Sequence, residues 1–251
     1  DSNFEKQNNN KWLSDANLIT NFNKNLNKNY RLSIDSALQT SKNYIQITNP
    51  DNDLSYQSSH STNINLEGFN LRSFDDYLSI DTNFYQSNQE NEDNEITPIV
   101  LPKIKYYQGT KKYKSYEFNN TYEFYNIFRD KKTSIHAQNQ QKFSSMISLS
   151  NDQIFSNSKI SFKSEIYNQF FNTENKLVNS KYHSGNYYRI FPILSSKIET
   201  PFKFKKSKSD FIYTPNLQLV LAPGFSNNQN ISNEDSSNNN FTIENINTLN
   251  R

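Results

Sequence analysis

Long stretches of this chain alternate apolar and polar residues one by one. In "KISFKSEIYNQF" (159–170), Ile160, Phe162, Ile166 and Phe170 share one parity, and Ser161, Lys163, Glu165 and Gln169 take the other. A period of two puts the two sets on opposite faces of a β-strand and fits no helix. The pattern recurs in "NYRLSIDSALQ" (Tyr30, Leu32, Ile34, Leu38), "YLSIDTNFYQ" (Leu78, Ile80, Phe84), "YEFNNTYEFYN" (Tyr116, Phe118, Tyr122, Phe124) and "FIYTPNLQLVL" (Phe211, Tyr213, Leu217, Leu219, Leu221). Between the runs lie turn-forming clusters: "TNPDND" (48–53), "QSNQENEDNE" (86–95), "RDKK" (129–132), "NTEN" (172–175) and "KKSKSD" (205–210). The spacing predicts an all-β antiparallel meander of about ten or eleven strands and no amphipathic helix.

Strand length then narrows the class. Soluble sandwiches use strands of about five or six residues, whereas these alternations persist for ten or more. About nine to eleven tilted residues cross a bilayer. The mean hydropathy is very low, −0.93, and asparagine makes up roughly one residue in six. That bias alone leans toward disorder, but 16 Tyr and 19 Phe supply ample apolar surface for ordered strands. A barrel with a wet lumen and a lipid-facing exterior reconciles the two, because half of each strand faces water. Alternation alone leaves an outer-membrane barrel and a large soluble β-sandwich, solenoid or surface protein equally open.

Several function classes fall away. The 27 basic and 25 acidic residues nearly cancel, so no nucleic-acid footprint stands out. The chain has no cysteine, which removes disulfides and thiolate chemistry. His60, His136 and His183 are isolated and lie in no ligand-spaced or nucleophile motif. Gly68, Gly109, Gly185 and Gly224 form no phosphate-cradling cluster. No enzyme, cofactor or metal site is therefore expected. No apolar run is long enough for a spanning helix, and the opening "DSNFEKQNNN" has no initiator Met or signal pattern, so the chain reads as a mature form or a fragment.

Three stretches carry a family resemblance through their order and spacing: "ITPIVLPKIKYY" (96–107), "YYRIFPILSSKIETPFKF" (187–204) and "NEDSSNNNFTIENINTLNR" (233–251). They are similar to the C-terminal barrel domain of LptD, the LPS-assembly protein of Gram-negative outer membranes, in its alphaproteobacterial form. The first matches a Leu-Pro strand entry through Pro98, Leu101 and Pro102. The second matches an Arg-x-x-Pro strand running into a Thr-Pro step through Arg189, Pro192, Thr200 and Pro201. The third matches an Asn-Glu-Asp-Ser loop and the strand after it through Asn233, Glu234, Asp235, Ser236, Asn245, Asn250 and Arg251. Asn247 stands where the family usually has an aromatic, and the family's Phe-x-Gly-x-Asp-Arg-like continuation does not follow.

The resemblance implies that residues 1–251 form part of a large transmembrane outer-membrane β-barrel, truncated at both ends and contributing about ten of about 26 strands. It implies non-catalytic lipopolysaccharide transport and insertion into the outer leaflet. It further implies an LptE-like plug lipoprotein, a periplasmic Lpt bridge, surrounding outer-membrane lipids, no nucleic acid, and sideways release between the first and last strands. The alternatives are a porin or receptor barrel, or a soluble β-rich surface protein.

Individual residues have simpler readings as well. Glu234 and Asp235 could form a carboxylate pair or a cation site; anchoring of a loop to an arginine, with Arg251 nearby in sequence, is the preferred role. The basic groups at 109–114, 129–132 and 203–208 are either solvated turns or contacts for lipid phosphates. Tyr106, Tyr107, Tyr187 and Tyr188 fit an interfacial girdle or ordinary sheet packing. Pro98, Pro102, Pro192, Pro201 and Pro215 lack the ladder donor and are expected at strand starts, bulges or bends.

Overall fold

Four of the five alternating runs fall in one strand each, and "FIYTPNLQLVL" is split at Thr214 and Pro215 into two, in the computed structural model, which describes residues 2–6, 12–42, 44–88, 93–206, 209–224 and 228–234. In chain order the strands are β1 (Ser2–Lys6), β2 (Trp12–Asn25), β3 (Tyr30–Gln39), β4 (Ser59–Phe69), β5 (Tyr77–Ser87), β6 (Ile99–Tyr113) and β7 (Tyr116–Phe128). They continue as β8 (Asn139–Phe155), β9 (Ser158–Val178), β10 (Lys181–Glu199), β11 (Phe202–Lys206), β12 (Ser209–Tyr213) and β13 (Asn216–Leu221). One short α-helix, α1 (Tyr44–Thr48), lies between β3 and β4, with single 3-10 turns at Asp53–Tyr56 and Asn94–Ile96 among the described residues. An 11-stranded sheet runs in sequence order from β1 to β10 and ends on β13, while β11 and β12 form a separate pair. Every described pairing is antiparallel, and the sheet is open at β1 and β13.

The two ends of the sheet differ. At one end the links are short, residues 26–29, 70–76, 114–115 and 156–157, apart from residues 200–215, which carry the β11–β12 pair. At the other they are long: residues 40–58, 88–98 and 129–138. The exception at the long-link end is Asn179–Ser180, where both residues have positive φ (49° and 63°), the geometry of a two-residue turn whose twist matches that of the flanking strands. The cluster "NTEN", expected as a turn, lies inside β9, which has 21 residues. Asn175 (φ 52°) sits there opposite a register shift between His183 and Gly185, so the cluster forms a bulge and the turn comes later.

Register places the two residue sets on opposite faces across the whole sheet. One cross-strand row joins Phe124, Phe143, Phe170 and Tyr188; a parallel one joins Leu149, Ser164, Leu194 and Leu221. This face is apolar and exposed: Phe143 is 51%, Leu149 43%, Phe170 44% and Leu194 51% accessible. The opposite face holds the buried residues, among them Tyr125, Gln140, Lys142, Ser144, Ser148, Gln169, Phe171, Thr173 and Phe191. A single-layer sheet buries one face only by curving toward it, so the polar, mixed face is the concave one. A soluble sandwich would show the reverse.

The exposed apolar face has a definite height. On β9 it runs from Ile160 to Phe170, about 35 Å of strand at about 3.4 Å per residue. Tilted by about 40°, that covers about 25 Å, the height of the apolar band on a transmembrane barrel. Beyond Phe170, toward the long-link end, Asn172 meets Asn186 at 2.7 Å and Glu174 meets Asn139 at 2.7 Å, so the strands continue there as a polar extension.

Candidate functional site

The concave face carries the chemistry. One row across it runs Arg31, Glu67, Ser79, Lys105, Glu123, Ser144, Gln169 and Arg189. The next row runs Ser33, Asn65, Asp81, Lys103, Tyr125, Lys142, Phe171 and Tyr187. Over β3 to β5 polar and charged groups pair across strands, Asn65 with Asp81 and Arg31 with Glu67 at 3.6 Å, and Ser79 bonds Asp81 along β5. Over β7 to β10 cations lie on rings. Lys142 stands 5.2 Å from the Tyr125 ring and 3.8 Å from Glu123; Arg189 lies 5.6 Å from the Phe171 ring and donates to Gln169 Oε1 at 2.8 Å. The wall therefore offers donors, acceptors, both signs of charge and ring faces, which suits a hydrated, polyhydroxylated cargo.

At the long-link end the segment 228–234 returns from the sheet edge to the β7–β8 link and is tied there. Arg129, 4% accessible, forms a forked pair with Glu234 (Nη2 to Oε2 2.8 Å, Nη1 to Oε1 3.4 Å) and also donates to the Ala137 carbonyl at 2.8 Å. Ala137 N donates to Ser232 Oγ at 3.1 Å. Gln140, fully buried, exchanges two bonds with the Ser232 backbone, both 2.9 Å, donates to Tyr125 Oη at 2.9 Å and accepts from Thr173 at 3.2 Å. His136 Nδ1 lies 3.6 Å from Glu234. Burial works against the Glu234 charge, but bonds from His136, Arg129 and Ser232 outweigh it and hold the carboxyl down at about 2. Beside this knot a cavity of about 530 Å³ opens between His136, Lys176, Asn179, Asn228 and Asn233.

A second knot closes the β4–β5 link at the short-link end. The Asp76 carboxylate accepts from the Ser73 hydroxyl (2.6 Å) and from the backbone N–H groups of Gly109 (2.7 Å), Ser73 (3.0 Å) and Arg72 (3.2 Å). These bonds, the Ser73 hydroxyl's first, hold its pKa well below the usual carboxylate range despite burial. Gly109 is required because a Cβ there would run into the Phe74 carbonyl oxygen.

The residues singled out by sequence fall in several places. Pro98 immediately precedes β6, and Leu101 and Pro102 occupy the register shift between Val100 and Lys103, with a cis peptide bond between them. Pro192 sits in a regular ladder opposite Ile166, not at a start or bulge. The half of β10 that holds it pairs only with β9 among the described residues, so its missing donor costs no ladder bond on that side. Thr200 bonds Ser158 at 2.8 Å, and Pro201 and Pro215 flank the β11–β12 pair. Arg189 is on the concave wall and Glu234 is in the rim knot. Asn233 is exposed beside the rim cavity. Asp235, Ser236, Asn245, Asn250 and Arg251 lie outside the described residues. Of the four girdle tyrosines, Tyr106 and Tyr188 share the apolar face, whereas Tyr107 and Tyr187 lie on the concave one. His60 is buried and bonded to Asn88 at 2.8 Å; among the described residues no group of acidic, His or Cys residues could hold a metal ion. Arg129, Gln140 and Ser232 carry no local sequence signal, since their contacts join residues roughly a hundred positions apart.

A one-layer antiparallel meander with an exposed apolar belt and a polar concave face matches the side-chain pattern of part of a β-barrel wall, open here at β1 and β13. The family model described as "LptD: LPS transport system D" matches residues 16–251, and the chain belongs to that family. The family is non-enzymatic and acts at the outer membrane, in lipopolysaccharide transport and outer-membrane assembly. A search of curated proteins found no match.

Proposed function

We propose that residues 1–251 form one portion of the closed wall of an integral outer-membrane barrel, and that its concave face guides the saccharide part of lipopolysaccharide toward the outer leaflet without catalysis. The observation that carries this reading is the inverted burial: apolar side chains exposed over a bilayer's height, polar ones enclosed. The long-link end faces outward and the short-link end faces the periplasm, since barrels of this class have short periplasmic turns and longer external loops. Periplasmic Lpt components deliver the cargo, and an LptE-like lipoprotein plugs the lumen; family membership supports both partners. Pro98, Leu101, Pro102, Pro192, Thr200 and Pro201 shape strands, Arg189 lines the lumen, and Asn233 and Glu234 belong to the external rim.

Site-specific photocrosslinking tests this. A crosslinking residue at Asn65 or Lys103 on the concave face is expected to capture lipopolysaccharide in cells. One at Ile147 on the belt is expected to capture membrane lipid. Equal capture of the glycan from both faces, or a protein recovered in the soluble fraction without heat-modifiable gel mobility, refutes the reading.

A further inference from the structure

The β11–β12 pair stands apart from the sheet, and its aromatic rings gather on one face. Register pairs Phe202 with Tyr213 and Phe204 with Phe211, so these four rings share one face; Lys203, Lys205 and Ile212 take the other. Phe202 is 48%, Phe204 56%, Phe211 63% and Tyr213 55% accessible, and the Phe204 and Phe211 rings meet at 6.5 Å. Together they leave about 400 Å² of aromatic surface uncovered, at the size where a patch signals a binding surface. Among the described residues the two strands pair only with each other, and an isolated two-stranded hairpin is at best marginally stable in water. Something therefore covers this face.

Its position specifies what. The rings continue the parity of Leu194 and Ile198 on β10 and of Leu217, Leu219 and Leu221 on β13, so the aromatic face is a direct extension of the apolar belt. The junction contains a proline in each strand, Pro201 and Pro215, held by a single bond from Thr200 N to the Pro215 carbonyl at 3.2 Å. With donors missing on both sides the ladder is interrupted, and the pair can turn away from the sheet axis. Turning toward the belt side lays the four rings on the bilayer surface and leaves Lys203 and Lys205 on the aqueous face, where their stems reach back to headgroup phosphates. A soluble partner would not require the aromatic parity to match that of the belt.

We infer that β11–β12 is an interfacial anchor that inserts its aromatic face into the headgroup layer of the leaflet at the short-link end. The inference rests on the barrel reading above, and the two can be tested separately because the chain has no cysteine. Single-cysteine variants Leu194→Cys, Phe204→Cys and Lys205→Cys are spin-labelled in the intact protein reconstituted in lipid vesicles. Collision rates with oxygen, which partitions into lipid, and with a water-soluble nickel chelate are then compared. The label at 204 is expected to be reached by oxygen and shielded from nickel, as at 194, and the label at 205 to be reached by nickel. Nickel access at 204 with shielding at 194 overturns the anchor and leaves the barrel intact. Shielding at 204 from both reagents shows a protein cover and also overturns it. Nickel access at 194 refutes the barrel reading itself.

Discussion

Replacing Arg129 by alanine should release the segment 228–234 without unfolding the sheet. The Arg129 and Glu234 side chains are 3% and 5% accessible, so the variant strands a buried carboxylate and removes the donor to the Ala137 carbonyl. Removing one member of a buried ion pair costs about 3–5 kcal/mol. At about 1.4 kcal/mol per tenfold change, protection of the strap amides should fall by about a hundred-fold or more. Hydrogen exchange read by mass spectrometry on peptides covering 136–140 and 228–234 measures this directly. Peptides from β8 and β9 supply the control, since their long ladders do not depend on the knot. Replacing both charges, Arg129→Met with Glu234→Leu, should restore protection to within about 1 kcal/mol of the parent, because a packed apolar pair avoids the desolvation penalty. Loss of protection under about threefold in Arg129→Ala, below about 0.7 kcal/mol, would refute the claim that this pair holds the strap.

Other outcomes follow from the same geometry. Glu234 titrates near 2 in the fold against 4.5 ordinarily, so its contribution of about 3 kcal/mol is present above pH 4.5 and is lost as pH falls from there to about 2; exchange in the strap should rise over that window first. Gly109→Ala should destabilise by about 1–3 kcal/mol, seen as a lower temperature for loss of heat-modifiable mobility, because the Phe74 backbone must move and the Asp76 bond with it. Ile166→Arg, in the belt, should cost about 2–4 kcal/mol in bilayer refolding, whereas Lys105→Gln on the exposed part of the concave face should change stability by under about 0.5 kcal/mol. Similar costs at the two positions would contradict the assignment of faces.

The fold was legible because each strand states its own faces. Ile160, Phe162, Ile166 and Phe170 read the same way in sequence as in the sheet, since parity is a local property that tertiary context left unchanged. Turns were less legible. Asn179–Ser180 holds two positive φ angles without glycine, while the more turn-like Asn172–Asn175 run is carried inside β9 by pairing with β8 and β10, which outweighs its composition. The rim site was half legible. Glu234 reads as an anchor from composition, but its partner could be sought only nearby in the chain, which pointed to Arg251, whereas the structure supplies Arg129, 105 positions away.

Parity also has a limit that burial removes. Alternation divides each strand into two sets but does not say which set is enclosed, and a sandwich and a barrel wall share the same period. What separates them here is the pairing of Lys142 with Phe171 and of Gln169 with Arg189 on the enclosed side, while Phe143, Phe170 and Tyr188 remain outside. A water-soluble sheet would lose the hydrophobic stabilisation of every exposed ring and also bear the desolvation of every enclosed charge. In the proposed barrel the exposed rings would meet acyl chains and the enclosed charges a hydrated lumen, so the first cost is removed and the second reduced. On that reading the same side-chain arrangement is unfavourable in one solvent and specified by the other, which is why the assignment of faces and the proposed membrane setting stand or fall together.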